Sequence, residues 1–410
     1  MGAPATRAAA VRLFLAFAFA YFFSALLRAV TATLAPSFGA EIGLRAADLG
    51  LLAGAYFLGF ASLQLPLGHA LDRVGPKRVL LSLLAVAVAG CAAFALARSL
   101  AALIAARTLI GVGVAACLMA PLTAFRMRFS TAAQLRANSW MLMTGSLGMV
   151  ASTLPVQWLL PLWGWRGLFW ALAALLLLAM AAIAVTVPSD RPPPRSAGVP
   201  EAGYRAIVRH PIFVRSAPLG FFVYGGLIAI QALWAGPWLT RVAGWTPQEA
   251  AGGLFVVNVC MLLAFLGWGL VMPRLAARGV GVDRLMVRGL VLPMGVLAAI
   301  VLWPQPLGAG AWALWCVCTT FVTLSQPAVG QAFPAGQAGR ALSAYNLVIF
   351  AGVFFIQWGI GLLIDGLMGA GLGEAAAFRA ALAIFGACGA ASWAWFAWSA
   401  RSAWRGAAGQ

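Results

Sequence analysis

Charge is what this sequence has least of. Only 9% of its 410 residues are Asp, Glu, Lys or Arg, against about 25% in ordinary soluble domains. Lys77 is the sole lysine, and His69 and His210 are the only histidines. A phosphate-binding loop of the form Gly-x-x-x-x-Gly-Lys-Ser/Thr needs a lysine in that setting, and Lys77 does not sit in one. ATP-driven chemistry is therefore disfavoured. Neither histidine has a metal-ligand or nucleophile partner close by in sequence, so we expect no enzyme activity, no metal and no cofactor. The six cysteines all fall inside apolar runs, where cysteine acts as a small buried hydrophobe. Cys316 and Cys318, two apart, point to different sides of a helix. No disulfide or metal site is expected.

What is present is hydrocarbon. Hydrophobic residues make up 63% of the chain and come in long runs. A bilayer core about 30 Å thick takes about 20 apolar residues per helix. The short alternating segments of a membrane β-barrel do not dominate. The expected class is an all-α polytopic membrane protein. Arg7 and Arg12 before an apolar run imitate a signal peptide, but the run continues to about residue 35 and reads as an uncleaved first helix. "MGAPAT" fits a myristoylation pattern, which a chain with many spans does not need.

Apolar runs give twelve candidate transmembrane helices. The first six are 11–36, 47–69, 78–97, 100–124, 138–161 and 167–187. The second six are 214–239, 248–272, 286–303, 310–332, 342–364 and 376–399. The expected organisation is an N-terminal six-helix bundle (1–187), a Pro-rich charged linker (188–213) and a C-terminal six-helix bundle (214–410). With the N-terminus in the cytoplasm, twenty Lys and Arg residues fall on the cytoplasmic side and five opposite. Cytoplasmic loops carry such an excess, so both termini are expected in the cytoplasm and the membrane is the plasma (inner) membrane. The net charge of +18 is then explained by loop position, and no nucleic-acid partner is needed. The halves echo each other. "RANS" (136–139) and "RALS" (340–343) precede the fifth and eleventh helices, and Gln157-Trp158 and Gln357-Trp358 close their cores. Six-plus-six repeats are a plan of secondary transporters.

The densest charge lies in "PLGHALDRVGPKRVL", residues 66–80. Gly68, Asp72, Arg73, Gly75, Lys77 and Arg78 match Gly-x-x-x-Asp-Arg-x-Gly-x-Arg/Lys-Arg/Lys without departure. On helix 4, Arg107, Gly111 and Gly113 match Arg-x-x-x-Gly-x-Gly. With these motifs, twelve spans and a long central loop, the whole chain resembles the major facilitator superfamily (MFS). The resemblance implies a transporter working by alternating access, largely monomeric, with helices 1, 4, 7 and 10 around a cavity. It also implies that the 68–78 loop latches the cytoplasmic side, with helix 11 as partner. The second-half loop, "GLVMPRLAARGV", has no matching aspartate. On local grounds, Gly68 suits a close helix approach, Pro76 a first helical turn, and Asp72 the favourable end of a helix dipole.

Arg28 and Arg107 lie deep inside spans. Charge there is costly and marks function by default. Neither has a deep carboxylate to pair with, and guanidinium binds carboxylate or phosphate bidentately. A small organic anion is therefore the expected substrate, on Arg28 and Arg107. Tyr21 and Ser24 on helix 1, Tyr224 and Gln231 on helix 7, Ser325 and Gln326 on helix 10 and Asn346 on helix 11 shape the site. Trp234 and Trp238 flank Pro237 as wall or, by default, as interfacial anchors. "GWRGLF" (164–169) reads as a turn before helix 6. A coupling proton or a counter-anion is left open. The rival is a proton-coupled drug or metabolite efflux antiporter. Its usual helix 5 pattern is broken at "TGSLGMVAST" (144–153), where Met149 stands for proline and Ser152 and Thr153 for glycines.

Overall fold

The structure is a computed structural model in which residues 7–188, 204–278 and 280–408 are described. Its regular elements among those residues are all helical. Contacts divide the chain into two compact units, bounded as Met1–Ile42 with Ala55–Gly198 and Gly43–Gly54 with Val199–Gln410.

The first unit holds most of eight helices. They are α1 (Arg7–Ile42), α2 (Ala46–Ser62), α3 (Gln64–Val74), α4 (Pro76–Leu96), α5 (Leu100–Val114), α6 (Met119–Arg128), α7 (Thr131–Ala151) and α8 (Leu154–Thr186). α2 and α3 meet at a 45° bend. α3 stops at Gly75, whose φ of 94° and ψ of 154° suit only a residue without Cβ. Pro76 then opens α4, where a missing N–H costs nothing. The Ser99 hydroxyl accepts from the Ala102 amide at 3.3 Å and caps α5. In the centre of the unit α5 runs close to two neighbours. A Cβ on Gly113 would lie 2.2 Å from the Ala87 nitrogen, and one on Gly111 2.0 Å from the Tyr56 carbonyl oxygen.

The second unit contains α9 (Tyr204–Arg209), α10 (Pro211–Leu219), α11 (Gly225–Ala229), α12 (Ala235–Pro237), α13 (Pro247–Ala277), α14 (Val282–Gly289), α15 (Val291–Leu302), α16 (Ala309–Thr319), α17 (Ser325–Gln331), α18 (Ala335–Gly369) and α19 (Glu374–Ala408). α10 to α12 form one run, Pro211–Val242, interrupted by three π-helical stretches: Gly220–Tyr224, Ile230–Trp234 and Trp238–Val242. Such widened turns concentrate at functional positions. The first residues of α2 belong here too. A Cβ on Gly50 would meet the Gln357 carbonyl oxygen at 2.2 Å, and one on Gly361 the Ala46 carbonyl oxygen at 2.4 Å. Asp365 accepts from the Ala46 and Ala47 amides at 3.2 and 2.8 Å. It caps the start of α2 from the far end of α18.

By length and apolarity, ten helices among the described residues can cross a bilayer, or eleven with the bent α2–α3 pair. The twelve expected spans are recovered at Gly164, whose φ of 62° and ψ of 170° break α8 internally. Residues 154–163 thus extend the fifth span begun by α7, and 165–186 form the sixth. The "GWRGLF" turn is this break, held by the Trp165 indole donating to Glu41 at 2.5 Å and by Arg166 paired with the same carboxylate.

Three expectations need correction. Gly68 was expected to allow a close helix approach, but a Cβ there would meet open space. Trp234 and Trp238 are 2% and 0% exposed, so they are core residues and not interfacial anchors. Their indoles donate to the Gln357 and Leu307 carbonyls at 3.1 and 2.9 Å. The end of the linker is not merely solvated. Residues 204–209 are helical, and Ile207 is buried against Phe213, Val329, Phe333 and Tyr345. Linker residues 189–203 lie outside the described residues.

Candidate functional site

In the first unit the polar residues converge on the two arginines. Arg28 sits midway along α1, half-buried, with its guanidinium 5.8 Å from the Phe60 ring and in hydrogen-bonding reach of the Tyr21 hydroxyl. Arg107, on α5, is 1% exposed. One of its terminal nitrogens donates to the Arg28 carbonyl at 3.5 Å, and its guanidinium stacks 5.0 Å from the Tyr56 ring centre. Its Nε and other terminal nitrogen have no protein partner. The two cations thus share one level, as their positions in the spans implied, but they differ in access. Arg107 faces inward onto an aromatic plane, the arrangement in which a cation–π contact is strongest. Ser24 is 1% exposed, and its carbonyl accepts from the Tyr56 hydroxyl at 3.3 Å. It packs the bundle interior.

The second unit holds two neutral polar clusters. Gln326 donates its amide to Asn346, linking α17 to α18. Both side chains are half-buried. Beside them the Tyr345 hydroxyl donates to the Ser325 oxygen at 2.9 Å and lies 3.2 Å from the Ser216 carbonyl. Tyr224 is half-buried against the same packed cluster. Gln231 stands apart: it donates to Asn258 at 3.0 Å, and Asn258 donates to the Leu254 carbonyl at 2.9 Å. The structure therefore joins Gln326 with Asn346 and puts Gln231 elsewhere. Tyr345 and Asn258 were missed from sequence. A hydroxyl or amide in a long apolar run was the signal available for both.

The 68–78 stretch is built as the sequence implied around Gly75 and Pro76. Lys77 donates its ammonium to the Ala184 carbonyl at 2.7 Å, in the last turn of α8, where the helix dipole favours a cation. Among the described residues no group of three His, Cys, Asp or Glu side chains could hold a metal ion.

Long apolar helices enclosing arginines, amides and hydroxyls define a multi-pass membrane protein that carries solutes. Within that class, the profile of the Major Facilitator Superfamily matches residues 17–357, so the chain belongs to that family. It is 29% identical over 353 residues to the inner membrane transport protein YajR of Escherichia coli K12, covering 83% of this chain and 74% of that one. Solved structures share the fold. A bacterial homologue of the human lysosomal transporter Spinster, in an inward-facing occupied conformation, superimposes with a TM-score of 0.76 at 18% identity, covering 97% and 98% of the two chains. A D-xylose–proton symporter gives 0.74 at 14% identity, with 94% and 97% covered. The nucleoside transporter NupG gives 0.75 at 12% identity, with 94% and 99% covered.

Proposed function

We propose that this protein moves a small organic anion across the plasma membrane by alternating access, with Arg28 as the anion's main partner. The observation carrying this reading is the unequal pair of guanidiniums at one level of the first unit. Arg107 stacks on Tyr56 and donates to the Arg28 carbonyl, and two of its nitrogens have no protein partner. It fixes the position of α1 and adds positive potential, while Arg28 is half-buried beside the Tyr21 hydroxyl. Fixed negative charge is kept away from that level. Each acidic residue in a described span lies within five residues of the span's end. Tyr21 orients Arg28. The second unit carries its own neutral donors and acceptors at Tyr224, Gln326 and Asn346. Residues 1–187 and 214–410 act as the two moving halves of a monomer, with both termini in the cytoplasm. The 68–78 loop is the cytoplasmic latch.

The test is uptake or export of labelled anions by reconstituted protein. Arg28→Ala should abolish transport while the protein still inserts and runs as a single species. Retained transport overturns the assignment. A thermal-shift screen against carboxylates, phosphates and cationic drugs separates this reading from the proton-coupled efflux antiporter, since a ligand stabilises the fold by mass action. A response to cationic drugs alone would favour the antiporter.

A further inference from the structure

A cavity of about 310 Å³ lies inside the second unit, between α15 and α19 and backed by α16 and the widened turn Gly220–Tyr224. It is apart from the arginines and from the amide clusters. Its wall is almost entirely hydrocarbon. The one hydroxyl in it, on Thr319, donates to the Trp315 carbonyl at 2.6 Å. A specific small-molecule site keeps a few placed polar groups to orient its ligand, and among this cavity's side chains only the Trp315 indole N–H is left over.

The cavity has a side entrance. Ala298 and Leu302 on α15, and Ala383 and Ala387 on α19, line it and are exposed. Each pair is four residues apart, so each lies on one helix face. The same helices expose Leu292 at 55% and Ile384 at 43%. In a membrane-embedded chain, such faces meet lipid tails. Small residues normally let membrane helices close on each other. Here a tight contact forms at Gly386, whose Cβ would lie 3.0 Å from Leu297, while the space beside it stays open.

We infer that this cavity holds one acyl chain of a bilayer phospholipid, entering between α15 and α19. A chain needs no polar partner, and the bilayer presents it at the entrance at very high concentration. The size agrees. An engineered apolar cavity of about 150 Å³ takes a benzene ring, so twice that volume fits roughly a dozen carbons of the chain, the remainder staying in the bilayer at the entrance. Trp315, buried at the back of the cavity, reports on the occupant.

The full-length protein is reconstituted in dioleoyl phosphatidylcholine, or in the same lipid brominated along its chains, which quenches indoles on contact. Subtracting the emission of Trp315→Phe isolates Trp315. That emission should be lost in brominated lipid and return in Ala383→Leu/Ala387→Leu, whose larger side chains plug the entrance on an already exposed face. In parallel, phosphorus is assayed after exhaustive detergent washing. Wild type should retain one more phospholipid per chain than the plugged variant. Equal Trp315 emission in the two lipids, or equal lipid counts for wild type and plugged variant, overturns the inference.

Discussion

Arg107 shows how one residue can hold charge in a membrane interior. Its guanidinium has an aromatic face on one side and a backbone carbonyl at its tip. Arg107→Lys keeps the charge and loses the planar stack, which costs about 1–2 kcal/mol. Its melting temperature in detergent should fall, while anion affinity changes less than in Arg28→Lys. The opposite ranking would move the ligand contact to Arg107. Sequence alone revealed that both arginines lie deep in spans, because charge there stands out against hydrocarbon. It could not show that Arg107 turns inward, because that depends on where Tyr56 of another helix projects. Glu41 offers a second test. The Trp165 indole, and then Arg166, hold its carboxyl below the usual range. A depressed folded pKa contributes stability above the unfolded value near about 4.3, and the contribution is lost as pH falls through the folded value. Wild type and Glu41→Gln should therefore differ in thermal stability at neutral pH and converge under acid conditions.

At the scale of the element, helix ends are where sequence was most legible. Gly75-Pro76 announced the end of α3 and the start of α4, and Gly75 occupies backbone space closed to other residues. Gly75→Ala should cost about 1–3 kcal/mol, read as a lower unfolding temperature. The start of α2 was illegible by the same logic. No capping side chain precedes Ala46, because the cap is Asp365, some three hundred residues later in sequence. Replacing it by alanine frees two amides, costing about 1 kcal/mol. It should loosen the contact of α2 with α18, detected as faster hydrogen exchange at residues 46–50. Unchanged exchange there would show that the tight backbone packing at Gly50 and Gly361 suffices. The run Pro211–Val242 looked like an ordinary span. Its three π-helical stretches were not foreseen from sequence, and two of them follow Pro218 and Pro237.

Over the whole molecule, hydrophobic run length settled the class and the paired motifs settled the family. The break of α8 at Gly164 keeps the count at twelve where length and apolarity alone find fewer. The loop distribution of arginine makes a further prediction. In a version lacking the six native cysteines, single cysteines placed near residue 8 and residue 400 should both react only from the cytoplasmic side. Reaction of either from outside would reverse the topology on which the latch assignment depends.

The sequence by itself determined that this chain lives in a bilayer, in two six-helix halves, with cations and no anions at mid-depth. These features follow from transfer energies and helix length, which are local properties. Only the tertiary structure decided which arginine is fully buried and that Gln326 meets Asn346. It alone placed Asp365 on a distant helix start and left a hydrocarbon-lined space between α15 and α19. Each of these depends on how far apart two packed helices stand and which way a side chain turns, and neither quantity is written in residue order.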